Sequence, residues 1–164
     1  FLKKKNISVL SLDFTNYNFD SRRDAKLRTY TYKILNRLAS PAILENQVWH
    51  VTKNLDFKLM QKASQIFLGS HDFTTFRASS CEATSPIRKI TCSELKKNND
   101  QIIYIVKSRS FLQHQVRSMV GAIKFVGEKK WSLKDLDEAL KSKNRNNCAT
   151  PAPACGLYLE NVEY

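Results

Sequence analysis

The chain has 164 residues, 42% of them hydrophobic, which is enough for one domain with a real core or for two small lobes. Lysine and arginine number 27 against 15 acidic residues, and the net charge of +12 favours a polyanionic partner, although a soluble protein can also simply be basic. No apolar run is long enough to span a bilayer, so we expect no membrane contact and no signal peptide.

Four cysteines lie far apart in the sequence and form no C-x-x-C pair. This spacing argues against a zinc site and against a disulfide framework, and it favours a reducing, cytoplasmic environment. We therefore expect free thiols and no metal at these positions: Cys81, Cys92, Cys148 and Cys155.

The first part of the chain favours two strands and a helix. Residues 7–14 and 24–36 are rich in β-branched and aromatic side chains, which are typical of strands. Alternation along the second strand places four side chains on one face: Arg28, Tyr30, Tyr32 and Ile34. Residues 54–69 predict a helix that either Asn54 or Asp56 caps.

Two short segments and a hairpin follow. The stretch QVWHV after Pro41 fits a short strand or a turn of helix, and residues 71–79 fit a loop or a short extended piece. Residues 87–97 and 101–110 predict two strands that are joined at residues 98–100, whose sequence Asn-Asn-Asp favours a hairpin turn.

Two helices and a final strand complete the predicted fold. Apolar residues recur at helical spacing through residues 111–127, and residues 132–144 predict a helix that starts at Ser132 with a capping box. Residues 148–156 read as a proline-containing loop and residues 157–164 as a strand. The order β-β-α-β-β-α-α-β predicts an α+β fold, with a mixed or antiparallel sheet and helices packed on one face.

Arg117 is the first candidate for chemistry, because it interrupts the apolar helix predicted at residues 111–127. At four-residue spacing, Gln113, Arg117 and Gly121 share a line along that helix. A glycine inside a helix costs about 1 kcal/mol relative to alanine, so Gly121 indicates the close approach of another backbone. The simpler alternative is that Arg117 reaches solvent or holds a phosphate without specificity.

Tyr30 and Tyr32, with Arg28 and Arg22 nearby in the sequence, form a second candidate. Aromatic rings among arginines on a sheet face suit base stacking and phosphate contact, and they suit a half-buried sheet face just as well. The pair His71-Asp72 is a possible acid–base pair, but no serine or cysteine nucleophile is placed beside it. The chain has no glycine-rich phosphate loop and no metal-binding histidine spacing.

Five stretches, taken in order, resemble one family. They are FDSRRDAKLRTYTYKI, FLGSHDFTTFRAS, RKITCSEL, SFLQHQVRSMVGAI and ATPAPACGLYLENVEY. Each stretch is weak evidence alone. Their order and spacing are similar to those of the carboxyl-terminal half of the bacterial tRNA pseudouridine synthase A (TruA) family, from about residue 7 to the end of the chain.

This resemblance implies a cofactor-free, metal-free, homodimeric isomerase that converts uridines of the tRNA anticodon stem-loop to pseudouridine. In that family an aspartate attacks the nucleotide, the glycosidic bond breaks, and the uracil turns and rejoins through carbon. The family fold has two lobes around a central sheet, with a basic cleft between them. Because the chain starts with Phe1 rather than Met, we expect residues 1–164 to be the carboxyl-terminal lobe, with residues 1–20 as inter-lobe connection and first strand.

The resemblance also assigns roles to residues of this chain. Tyr30 matches the tyrosine that packs on the target base, and Arg117 matches the arginine that pairs with the catalytic aspartate. Leu157 matches an apolar residue of the uracil pocket, while Arg22 and Arg77 match positions near the cleft. A guanidinium suits a carboxylate because its planar fork donates two hydrogen bonds and keeps its proton.

The chain departs from the family pattern in two respects. Arg23-Asp24, Gln115 and Ser118 replace residues that are commoner in the family, which alters local RNA contacts. The stretch G-R-T-D-x-G-V-H, which carries the family's nucleophilic aspartate, does not occur, so we expect the 164 residues alone to be inactive. The alternatives are a basic α+β module that binds structured RNA without chemistry, and a small-molecule hydrolase that uses His71-Asp72.

Overall fold

The computed structural model of the chain describes residues 7–164, which contain a mixed sheet and three α-helices. The strands are β1 (Leu27–Asn36), β2 (Trp49–Val51), β3 (Gly69–Asp72), β4 (Ile87–Asn98), β5 (Gln101–Ser108) and β6 (Leu157–Glu163). The helices are α1 (Phe57–Gln65), α2 (Gln115–Gly127) and α3 (Leu133–Lys141). The α+β class predicted from the sequence is confirmed.

Strand β1 pairs with three other strands of the sheet. The order is β2-β1-β5-β4-β3, and β1 pairs antiparallel with β5 along residues 28–35. The opposite edge of β1 pairs antiparallel with β6 along residues 27–32 and parallel with β2 at residues 34–36. Strands β4 and β5 form the predicted hairpin, whose turn places Asn99 in the left-handed conformation with φ +51°. Asparagine tolerates that conformation better than most residues.

The core lies between one face of the sheet and the helices. The predicted alternation along β1 is confirmed, because Tyr32 lies opposite Tyr104 and Ile34 lies opposite Ile102 on β5. These four side chains are at most 1% exposed, and Met119 of α2 is fully buried in the same cluster. Burial of each isoleucine or methionine side chain in this cluster contributes about 1.5–3 kcal/mol to folding, so this face of the sheet holds β1 against the helices.

Helices α1 and α3 begin at side-chain caps. The carboxylate of Asp56 accepts the N–H of Leu59 at 3.1 Å, which selects Asp56 over the other predicted cap. The capping box predicted at Ser132 is present and pairs it with Asp135. Both helices are shorter than predicted, since turns follow them at residues 66–67 and 142–143 and Gly69 already belongs to β3.

Helix α2 begins four residues later than predicted. His114 precedes it in the left-handed conformation with φ +60°, and the buried side chain of Gln115 accepts the N–H of Leu112 at 2.8 Å. This glutamine stabilises a tight turn where the apolar spacing predicted a helical turn. The predicted alignment of Gln113 with Arg117 along the helix is therefore wrong, because Gln113 lies outside it.

The strand predicted at residues 7–14 is also wrong. These residues form neither helix nor strand, and most of their apolar side chains are exposed. A segment whose composition favours a strand still needs a neighbouring strand to form hydrogen bonds with its backbone N–H and C=O groups, and residues 7–164 provide none beside this segment. Of the connection predicted at residues 1–20, residues 1–6 lie outside the described residues. The stretch QVWHV contains the short strand β2, and residues 71–79 contain the second half of β3, which begins at Gly69, followed by a turn of 3-10 helix at Thr74–Phe76.

Candidate functional site

A cavity of about 800 Å³ lies where the beginning of β1 meets the segment between β5 and α2. Tyr30 and Phe111 form its aromatic wall, and their rings meet edge to face with centroids 5.2 Å apart. Arg22, Arg28 and Arg88 line the same cavity. Its volume falls within the range of about 300–1,000 Å³ that is typical of ligand sites.

Arg28 joins two walls of this cavity. One terminal nitrogen of its guanidinium donates to the carbonyl of Arg109, and the other donates to the carbonyl of Arg22. The loop before β1 and the segment after β5 are therefore held by one side chain. The sequence indicated Arg28 only as a neighbour of Tyr30, since contacts with two distant carbonyls leave no local pattern.

The cavity is electropositive. Three of its lining residues are arginines and one, Glu82, is acidic. Within residues 7–164 none of these three arginines forms an ion pair. Burial by itself raises the pKa of the Cys81 thiol on the cavity wall, but the N–H groups of Ala83 and Gln113 and two nearby arginines lower that pKa below its ordinary value.

Arg77 lies beside the cavity rather than on its wall, close to β3. Burial opposes ionisation of Asp72, but hydrogen bonds from Thr74 and positive charges that include Arg77 lower the pKa of that carboxyl. The His71 ring Nε2 lies 2.7 Å from the carbonyl oxygen of Leu68. Within the described part of the chain His71 and Asp72 do not hydrogen-bond to each other, so the possible acid–base pair is not formed.

Arg117 fastens the loop at residues 149–156 to α2. Its Nε donates to the carbonyl oxygen of Ala152 at 2.6 Å, and its own backbone carbonyl accepts the N–H of Ala152 at 3.0 Å. The loop can approach this closely because Gly121, one turn further along α2, has no side chain. A Cβ at that position would lie 2.1 Å from the carbonyl oxygen of Thr150. The close backbone approach predicted from Gly121 is confirmed.

The two terminal nitrogens of the Arg117 guanidinium are available for a partner. Among residues 7–164 they take part in no hydrogen bond and no ion pair, and neither is a buried, unsatisfied donor. The bond from Nε to Ala152 fixes the plane of the guanidinium. A carboxylate that approaches this fork would therefore meet two parallel N–H donors.

Tyr32 does not serve as a stacking surface, because it is 0% exposed. Its hydroxyl donates to the carbonyl of Pro153 at 2.6 Å, and burial raises its pKa well above the ordinary value, so the hydroxyl stays protonated. Leu157 lies opposite Tyr32 in the β1–β6 ladder and packs against the core. Arg117 and Tyr32 thus hold the consecutive carbonyls of Ala152 and Pro153.

The described residues contain no group of three or more His, Cys, Asp or Glu side chains that could hold a metal ion. All four cysteines are free, as predicted. No helix within residues 7–164 is long and apolar enough to cross a membrane. The expected absence of a cofactor stays a prediction.

Comparison with known proteins identifies the family. A family model described as tRNA pseudouridine synthase matches residues 63–164. A tRNA pseudouridine synthase A from Pelagibacter ubique is 48% identical over 164 residues, which are 100% of this chain and 67% of the relative. The chain belongs to the tRNA pseudouridine synthase family.

Two further relatives in this synthase family carry the same name. The protein from Xanthobacter autotrophicus is 44% identical over 163 residues, which are 99% of this chain and 66% of the relative. The protein from Bartonella bacilliformis is 43% identical over 159 residues, which are 97% of this chain and 64% of the relative. The chain thus spans about two thirds of the length of these relatives.

In this pseudouridine synthase chain, the residues predicted from the sequence occupy neighbouring places rather than one cavity. Tyr30 and Arg22 line the cavity, and Arg77 lies beside it. Arg117 and Leu157 lie at the loop of residues 149–156 and at the strand that follows it, next to the buried tyrosine of β1. Sequence reasoning missed Arg88, although it lies in the stretch RKITCSEL that carries part of the family resemblance.

Proposed function

We propose that this chain is the carboxyl-terminal lobe of an enzyme that isomerises uridine to pseudouridine in the anticodon stem-loop of tRNA, with Tyr30 packing on the target base. The observation that carries this proposal is the half-buried Tyr30 in a cavity lined by three arginines. Such a ring stacks a base while the cations attract its phosphates. Family membership supports the reaction, since the relatives are named for it.

In this proposal Arg117 orients the carboxylate nucleophile. Its Nε is fixed on Ala152, and its terminal nitrogens are unpaired among the described residues. A neighbouring guanidinium favours the ionised carboxylate, which is the form that attacks. The aspartate comes from sequence beyond these 164 residues, since the chain lacks the G-R-T-D stretch. Leu157 lines the apolar side of the uracil pocket, and Arg22 and Arg77 contact RNA at the cleft.

The reaction needs no redox partner and no group transfer to a second substrate. The bond between the ribose and uracil N1 breaks, the uracil turns, and a bond forms between the ribose and uracil C5. The C5 hydrogen leaves as a proton and N1 gains a proton, so the product is an isomer of the substrate. We propose that the enzyme works as a homodimer in the cytoplasm without metal or cofactor, as the family resemblance implies.

Release of tritium from tRNA labelled at uracil C5 tests this function. The 164-residue chain alone should stay at background, whereas a polypeptide extended by the G-R-T-D-containing lobe should turn over. In the extended enzyme Tyr30→Ala should abolish turnover but keep most of the tRNA affinity, because affinity comes mainly from phosphate contacts. Tyr158→Ala is the matched control, because Tyr158 lies on the opposite face of the sheet and binds the Gln47 carbonyl.

Three outcomes would contradict parts of this proposal. Turnover by the 164-residue chain alone would show that one of its own aspartates is the nucleophile. An extended enzyme that binds tRNA but never releases tritium would favour the alternative, an RNA-binding module without chemistry. Near-normal turnover of Tyr30→Ala would remove the base-packing role from that residue.

A further inference from the structure

Arg88 carries a buried donor that lacks a partner. It is the second residue of β4 and lies in the first part of that strand, before Ile90, where pairing with β5 begins. Its Nη1 donates to the carbonyls of Ser85 at 2.9 Å and Ile87 at 2.6 Å, so one side of the guanidinium is anchored. Its Nε is buried and has no hydrogen-bond partner within residues 7–164. An unpaired buried N–H is rare in proteins, and a ligand that accepts from it removes a substantial penalty.

The cavity around Arg88 is suited to an anion. Arg88 lines the same cavity as Tyr30 and Arg22, and Glu82 is the one acidic residue on its wall. Arg28 uses each terminal nitrogen for a hydrogen bond to a backbone carbonyl, whereas Arg88 uses only Nη1 and the guanidinium of Arg22 forms no hydrogen bond among the described residues. Burial raises the pKa of the neighbouring Cys81 thiol, but backbone hydrogen bonds and the charges of Arg77 and Arg88 lower it below its ordinary value, which agrees with a positive potential in this cavity.

We propose that Arg88 binds, through Nη2 and the adjacent Nε of its guanidinium, a phosphodiester of the RNA strand next to the nucleotide that packs on Tyr30. This inference rests on the proposed function and names a subsite within it. In every nucleotide the ribose joins the base to the backbone phosphates, so a cavity that holds a base on one wall brings a phosphate near another. Because Nη1 is anchored, the guanidinium presents Nε and Nη2, which have no hydrogen-bond partner among the described residues, as one edge of fixed direction. This edge fixes the position of that phosphate and does not only supply charge.

A coupling experiment tests the subsite in the extended enzyme. The RNA is an anticodon stem-loop that already carries pseudouridine, so no turnover occurs during binding, and single phosphates near that position are replaced by neutral methylphosphonates. For the unmodified enzyme we expect one replacement beside pseudouridine to weaken binding roughly 10-fold or more, as expected for a hydrogen bond to a charged group. Arg88→Gln should weaken binding of the all-phosphate RNA similarly and lower the salt-dependence slope by about one.

The decisive result is the combination of the two changes. If Arg88 binds that phosphate, the methylphosphonate should cost Arg88→Gln little more affinity, because the contact is already absent. Arg37→Gln is the matched control, since Arg37 follows the far end of β1 and forms an exposed pair with Asp100 at 3.8 Å. This control variant removes the same charge, and the binding free energy that it loses should add to the loss caused by every methylphosphonate.

Arg88→Lys separates direction from charge, because lysine keeps the cation but has no Nε–H. Full affinity in this variant, or additive losses in Arg88→Gln, would overturn the subsite while leaving the proposed function intact. Should Arg88→Gln fail to fold, the lysine variant and the methylphosphonate scan of the unmodified enzyme decide the question. A scan in which no phosphate near pseudouridine matters also overturns it. An enzyme without tritium release fails as a pseudouridine synthase, which is a separate readout.

Discussion

Replacing Gly121 by alanine should destabilise the protein, although alanine is the better helix former. The added Cβ would lie 2.1 Å from the carbonyl oxygen of Thr150 and 3.1 Å from its carbonyl carbon. Both atoms belong to the backbone, so no side-chain rotation relieves the contact and the loop must move away from α2. That movement lengthens the two hydrogen bonds that join Arg117 to Ala152, now at 2.6 and 3.0 Å.

The free energy of unfolding of Gly121→Ala should fall by about 1.5–3 kcal/mol. A hydrogen bond between neutral groups contributes about 1 kcal/mol and one from a charged group about 1.5–3 kcal/mol, so loss of both costs about 2.5–4 kcal/mol. Alanine returns about 1 kcal/mol through its higher helix propensity. In a chain of this length each kcal/mol changes Tm by about 2–4 °C, which gives a decrease of roughly 3–12 °C.

Circular dichroism during thermal and urea unfolding measures this effect. Gly127→Ala is the matched control in the same helix, because its Cβ would meet the side chain of Met60, with Cγ at 2.7 Å and Sδ at 2.8 Å. A methionine side chain can rotate away at lower cost than a backbone can move. The control should therefore lose less stability. Unchanged or increased stability of Gly121→Ala would refute the inference that the Thr150 backbone needs a glycine beside it.

Two further predictions concern ionisable groups. The side chain of Glu128 is 3% exposed and pairs with Lys124 at 2.6 Å. Glu128→Gln should therefore lower the free energy of unfolding by about 2 kcal/mol at pH 7. The control Glu138→Gln, at an exposed pair, should lower it by almost nothing. Burial opposes the charge of Glu128, but its lysine partners lower its pKa below 4.5, so urea unfolding should show this contribution at pH 7 and its loss below pH 4.5. Iodoacetamide at pH 8 should alkylate Cys81 before Cys92, whose pKa burial and a neighbouring carboxylate raise to about 11. Equal rates by mass spectrometry would contradict this order.

The parts of the fold that the sequence predicts are those governed by local rules. Strand β1 alternates because one of its faces packs against the helices, and alternation is visible in the sequence as Tyr32 and Ile34 two residues apart. The hairpin turn at Asn99 needs a left-handed residue, which the residue type itself indicates. The capping box at Ser132 is likewise a short-range pattern.

The parts that the sequence misjudged depend on contacts with distant residues. Apolar spacing extends the α2 pattern back to Phe111. In the structure the buried side chain of Gln115 accepts the N–H of Leu112, and the helix begins only at Gln115. Tyr30 and Tyr32 share one strand face, yet the loop of residues 149–156 covers only the second of them. No local signal tells which of two tyrosines a distant loop will cover.

The Arg117 guanidinium shows why an arginine stands in an otherwise apolar helix. Its Nε holds the Ala152 carbonyl, and its terminal nitrogens point a separate pair of donors away from that bond. A lysine offers a single nitrogen on a flexible stem, so it could hold the loop or meet a carboxylate, but it could not fix the second group by means of the first. The glycine at position 121 belongs to the same arrangement, because it lets the loop come close enough for Nε to reach it. The residue that looks misplaced in the sequence is therefore the one that fastens the loop of residues 149–156 to α2 and still has two terminal nitrogens without a partner among the described residues.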